Sequence, residues 1–106
     1  DPDAPKTITI TLYSGSGGRI GFSSSTMSYS KQSKTVNYGE EVTVYALGDT
    51  RETSDAYIFR HYYCTGFYDA TGTCLKSYTD ENPQRSYTFR ATANIDLQPI
   101  WDYRDY

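Results

Sequence analysis

A chain of 106 residues supplies one domain with a single core, and at this size roughly two-thirds of the unfolded surface can be buried. The hydrophobic share is only 37%, but twelve tyrosines add large rings that bury well and keep a polar tip. A net charge of −3 speaks against a surface that tracks nucleic-acid phosphates or an anionic membrane, and no apolar run approaches the ~18 residues of a membrane-crossing helix.

Residues 1–6, with Asp1-Pro2-Asp3-Ala4-Pro5, read as a stiff extended linker that joins this domain to a longer chain. From Thr7 to Leu12 the chain alternates strictly. Ile8, Ile10 and Leu12 share one face and three threonines the other, as in a half-buried strand. The cluster Ser14-Gly15-Ser16-Gly17-Gly18 is a turn, and Arg19 to Phe22 resumes the alternation, which predicts a first hairpin. Residues 23–34 are polar and aperiodic and read as a loop with a short edge strand at most. Thr35 to Tyr38 and Glu41 to Ala46, joined at Gly39-Glu40, predict a second hairpin with Val42, Val44 and Ala46 inward and Tyr45 outward. Asp49 and Glu52 match a helix-capping pair. The apolar positions after them are too few for a helical stripe, so 48–59 is expected to be a long loop with at most one short helical turn. Tyr62 to Tyr68 and Thr73 to Tyr78 predict a third hairpin, turning at Asp69 to Gly72. Tyr87 to Ala91 and Ile95 to Trp101 predict a fourth. Pro99 cannot donate to a ladder, so its strand should lie at an edge or be bulged there. The expectation is an all-β domain over residues 7–102, mainly antiparallel hairpins arranged as a β-grasp-like fold or a small sandwich, with 103–106 as a tail. Its predicted core is Ile8, Ile10, Leu12, Val42, Val44, Tyr62, Cys64, Phe89, Leu97 and Trp101.

The stretch from His61 to Tyr78 holds both cysteines and the only histidine. With Ala70 and Thr71 at the centre of its turn, Phe67 faces Cys74 and Cys64 faces Ser77. The thiols then point to opposite faces, too far apart to bridge. A bulge would bring them back together, and an oxidising compartment favours a bridge. His61 is three residues from Cys64 and so on the other face of a strand, which suits no nucleophile–base pair. Cys64, Cys74 and His61 are too few for a closed zinc site. Asp49, Glu52 and Asp55 share a polar loop without the ligand order of a calcium-binding helix–loop–helix, so no cofactor or metal is expected.

The order of segments resembles the internalin B-repeat of bacterial surface proteins. Four segments carry the likeness: Tyr38-Gly39-Glu40-Glu41-Val42-Thr43-Val44-Tyr45-Ala46, then His61 to Asp69, then Asn82-Pro83 with Tyr87-Thr88-Phe89, and finally Leu97-Gln98-Pro99-Ile100-Trp101. Phe67 stands where that repeat usually has Trp, and Cys64 where it has Phe. Residues 47–60 read as an insertion, and Gln84-Arg85-Ser86 lengthens a further turn. The resemblance implies a β-grasp-like domain of an extracellular or cell-surface bacterial protein. Such domains serve as spacers or adhesion modules beside other domains of the same chain and are not enzymes.

Most of the tyrosines should pack across strands. The alternative is a row of exposed rings that stacks on glycans, for which Tyr45, Tyr63 and Tyr78, with Tyr103 and Tyr106 of the tail, are the outward candidates. Such a row also suits a host or surface protein as partner. A third possibility is an accessory domain of a secreted hydrolase.

Overall fold

Threonine alternating with isoleucine and leucine produces β1 (Thr7–Leu12), whose apolar row is buried and whose threonines are exposed or half-buried. The computed structural model describes residues 7–106; the linker expected over 1–6 lies outside them. The further strands are β2 (Gly18–Gly21), β3 (Gln32–Asn37), β4 (Glu41–Gly48), β5 (Thr50–Glu52), β6 (Phe59–Asp69), β7 (Cys74–Ser77), β8 (Gln84–Arg90) and β9 (Ile95–Asp105). The domain is all-β. Residues 48–59, expected to be a long loop with at most one helical turn, contain the strand β5 at Thr50–Glu52, and only 53–58 form a turn: Tyr57 N–H donates to Asp55 Oδ1 at 2.9 Å and Ile58 N–H to Asp55 O at 3.1 Å.

The strands form a six-stranded sheet, in the order β3-β1-β9-β6-β5 with β7 also against β6, and a three-stranded sheet, β2-β4-β8. Only one of the four expected hairpins forms. β6 and β7 turn at Asp69–Gly72, with Gly72 at φ 85°. β1 pairs with β3 and, in parallel, with β9, whereas β2 pairs with β4 in the other sheet. β8 pairs with β4, and β9 pairs with β6 over residues 97–105. The predicted turns at 14–18 and 39–40, and the link between Ala91 and Ile95, therefore carry the chain between sheets. Near Gly39 (φ 83°) the turn is tied to β8 by Gly39 N–H to Ala91 O at 2.7 Å and Ala91 N–H to Glu40 O at 2.9 Å. Two strands with apolar faces bury those faces equally well side by side or across a sandwich. Period two marks the buried face and leaves the neighbour open.

One core lies between the sheets. Ile8, Ile10, Leu12, Val42, Val44, Cys64 and Leu97 are buried in it as expected, as is the inward Ala46, and they are joined by Ile20, Val36, Phe67 and Ala91. Phe89 and Trp101 are only partly buried against it. Tyr62 stands outside: β6 and β9 outrun the small sheet, and the Tyr62 ring lies under Arg51 and beside Tyr103. Trp101 instead covers the glycine turn, where a side chain on Gly17 would strike its ring, and its Nε1–H donates to Ser14 O at 2.7 Å. Gln84–Ser86, read as a lengthened turn, open β8, and the buried Arg85 donates from Nε to Cys64 O at 3.1 Å. The last four residues are no tail. β9 runs to Asp105, and Tyr106 exchanges both backbone hydrogen bonds with Phe59. Pro99 sits just past Leu97, where β1 has left β9 and its missing donor costs no ladder bond on that side.

A bulge at Thr65 turns Phe67 into the core, against the alternation that runs inward through Tyr62 and Cys64. Cys64 pairs with Trp101 and Gly66 with Ile100, so the extra residue turns both Cys64 and Phe67 inward although they are three apart. A second shift places Cys74 opposite Tyr68 instead of Phe67. Cys64 and Cys74 are thus separated by roughly 12 Å along the ribbon, beyond bridging reach; one is buried and one exposed. Burial pushes the Cys64 thiol pKa up. A thiol reagent at pH 8 should label one cysteine, Cys74, in the native protein and both in denaturant; two rapid equivalents in the native state would contradict the burial of Cys64.

Candidate functional site

The three tyrosines proposed as a platform do not share a plane. Tyr45 lies on the outer row of the small sheet, between Gly21 and Ser86. Tyr63 lies on the outer face of the large sheet, opposite Asp102. Tyr78 turns inward: its ring meets Phe67 edge-on at 6.4 Å, the Arg85 guanidinium covers it at 4.2 Å, and its hydroxyl donates to Ser86 O at 3.1 Å. Burial raises its phenol pKa.

Two other surfaces gather the groups that alternation alone left scattered. The first is the ribbon end formed by β5, the start of β6 and the end of β9. It carries Tyr57 (92% exposed), Ile58, Phe59, Tyr103 and Tyr106 (65% exposed), five of the seven large hydrophobic side chains exposed among the described residues. Aromatic and cationic groups stiffen it. His61 stacks on Tyr106 at 3.8 Å, with planes 11° apart. The Arg60 guanidinium lies 3.9 Å from the Tyr103 ring and grips Asp105 through two bonds of 2.9 and 3.0 Å. That grip lowers the Asp105 carboxyl pKa and raises that of Arg60. Arg51 sits 4.7 Å over Tyr62, donates to Asp49 at 2.8 Å and reaches Ser16 O at 2.8 Å. Both arginines thus neutralise a carboxylate and present a flat face to a ring. They flank a cavity of about 580 Å³ bounded also by Thr53, Ile58, Tyr62 and Asp105.

The second surface lies on the outer face of the large sheet. Leu12 pairs with Leu97, so Tyr13 and Gln98 follow side by side, and Tyr68 pairs with Gln98 from the other flank. Tyr13, Gln98 and Tyr68 therefore form one transverse row across β1, β9 and β6. Two strand spacings put its ends about 10 Å apart. With Asp69 and Asp96 they bound a cleft of about 260 Å³. The Asp69 carboxylate is already engaged by Thr71 and Thr73. The side chains of Gln98 and Asp96 make no hydrogen bond to the described residues. Lys31 lies 5.5 Å from the Tyr13 ring. Tyr13 continues the outward phase of Thr7, Thr9 and Thr11, which was readable; the phase of Tyr68 depends on the bulge and was not.

His61 is half-buried beneath Tyr106 and far from the Cys64 thiol's side of the strand. Asp49 is held by Arg51 and by the Tyr29 hydroxyl at 2.8 Å. Among the described residues, no three His, Cys, Asp or Glu side chains converge in a way that would hold a metal. Nor, among the described residues, is any helix long and apolar enough to cross a membrane. No protein-family model, curated protein or solved structure matches the chain.

Proposed function

We propose that the chain is a non-enzymatic adhesion or spacer module of a secreted or cell-surface bacterial protein, of the internalin B-repeat kind. The observation that supports it is the aromatic ribbon end. Exposed apolar groups are usually scattered, and gathering Tyr57, Ile58, Phe59, Tyr103 and Tyr106 at one extremity is costly to solubility unless a partner covers them. Tyrosine and arginine together are the side chains that dominate contact energy at protein surfaces. Beads coated with the protein should be retained on host-cell monolayers, and combined Tyr57→Ser and Phe59→Ser replacement should cut retention about tenfold, a loss of ~1.4 kcal/mol. Unchanged retention with circular dichroism intact would reject the ribbon end as the adhesive surface.

A second reading, glycan binding, is favoured by the Tyr13–Gln98–Tyr68 row. Ring walls with an amide and a carboxylate between them suit a pyranose, whose C–H face meets a ring while its hydroxyls take hydrogen bonds. Periodate treatment of the target cells should abolish retention on this reading, and Tyr68→Ala should weaken it. On the adhesion reading, protease treatment removes retention and Tyr68→Ala leaves it unchanged.

A further inference from the structure

Among the described residues, no strand pairs with β9 beyond Leu97 on the side away from β6. β1 pairs with β9 only through Ile95, Asp96 and Leu97, and β6 occupies the other side as far as Asp105. The hydrogen-bond phase of this edge follows from its neighbours. Phe59 and Tyr106 exchange both backbone bonds, at 3.0 Å each. In an antiparallel ladder bonded and non-bonded pairs alternate, so His61–Arg104 and Tyr63–Asp102 are bonded pairs. Tyr62–Tyr103 and Cys64–Trp101 are not. Tyr62 confirms the phase from its own side, since its N–H points away from β9 to Asp49 O at 2.8 Å. The backbone groups of Trp101, Tyr103 and Asp105 therefore face outward, and the Tyr103 N–H is met only by the Asp102 carboxylate of its own chain, at 2.8 Å.

From this edge we infer that two copies of the chain join β9 to β9 antiparallel, about a two-fold axis at Tyr103. That register is self-complementary in both backbone and charge. Tyr103 of each copy exchanges two backbone bonds with Tyr103 of the other, and Trp101 does so with Asp105, all at outward-facing positions. Asp102 and Arg104 then fall opposite Arg104 and Asp102 of the second copy, at the non-bonded positions where side chains come closest. Asp105 adds no repulsion, because it faces Trp101 and stays held by Arg60. Arg104 already reaches Glu81 at 2.6 Å, and its five donors serve both carboxylates. Asp102 changes role, releasing the Tyr103 N–H to a carbonyl and turning to Arg104. The seam is five residues long, about 17 Å, and stops where β1 and the Ser14–Gly18 turn begin to flank β9. So short a seam makes a weak dimer. A charged edge of this kind commonly blocks pairing; here the order Asp-Tyr-Arg matches itself when reversed. This inference does not depend on the adhesion reading.

Sedimentation velocity of the whole chain from 10 µM to 1 mM, at low salt, tests it. Wild type should shift toward dimer across that range. Asp102→Arg or Arg104→Asp alone should weaken association at least tenfold by facing like charges, and the double exchange should restore it to within about threefold. Tyr103→Pro removes one outward donor that β6 does not use, and should abolish association while circular dichroism stays unchanged. A wild type monomeric throughout, a Tyr103→Pro protein that still dimerises, or a double exchange no better than its singles would each overturn the proposal.

Discussion

Phe67→Ala should lose about 3–5 kcal/mol of folding stability, a large part of what a domain of this size holds. The side chain is fully buried and bridges the sheets. It lies opposite Pro99 on the large sheet, stacks on Tyr87 of β8 at 5.6 Å with planes 19° apart, and meets Tyr78 edge-on. Tyr87 in turn stacks on Phe89 at 5.3 Å, so removing Phe67 deprives a continuous aromatic column of its inner end. The surroundings have little freedom to collapse, because β6 is pinned by β9 on one side and β7 on the other. Urea denaturation should show the midpoint falling by about 2 M, taking a typical dependence of 1–3 kcal/mol per molar. A loss below 1 kcal/mol would mean that the sheets do not meet at this ring.

Gly48→Ala should cost about 3 kcal/mol, for a steric reason and not a conformational one. Gly48 ends β4 where the chain leaves the small sheet for the large one. A methyl there would overlap the Tyr62 carbonyl, which is backbone and cannot rotate aside. The same crossing is held by Gly48 N–H to Pro83 O at 2.9 Å, Asp49 N–H to Gly17 O at 2.9 Å and Tyr62 N–H to Asp49 O at 2.8 Å. Parting β4 from β6 to admit the methyl strains all three bonds. Amide exchange should therefore accelerate first at Gly48, Asp49 and Tyr62. Gly39→Ala is the contrasting control: φ is 83° but nothing lies within 4 Å, so only the left-handed backbone cost of about 1–2 kcal/mol applies. Equal losses at the two glycines would contradict the steric account.

Alternation made the buried rows of β1 and β4 legible, because side chains on a strand must alternate and the threonines and glutamate of these strands belong outside. The Asp69–Gly72 turn was legible too, since Asp and Gly there satisfy a local requirement. The ribbon end was not, because Tyr103 and Tyr106 acquire a place only when β9 pairs with Tyr62 and Phe59 of β6, distant in sequence. Nor was the Tyr13–Gln98–Tyr68 row, which three separate strands contribute. The inward turn of Tyr78 depends on Phe67, and Phe67 on an extra residue at Thr65 that no local pattern announces.

Taken alone, the order of amino acids determined the strand class, most of the buried aliphatic positions and the β6–β7 hairpin, since each follows from covalent alternation or from the turn preferences of a few adjacent residues. The assignment of strands to two sheets, the bulge that brings Phe67 inward, the aromatic extremity and the unpaired edge of β9 were decided only in three dimensions. Pairing between distant strands is selected by how well two whole faces fill one interior, a comparison among partners that no single segment contains.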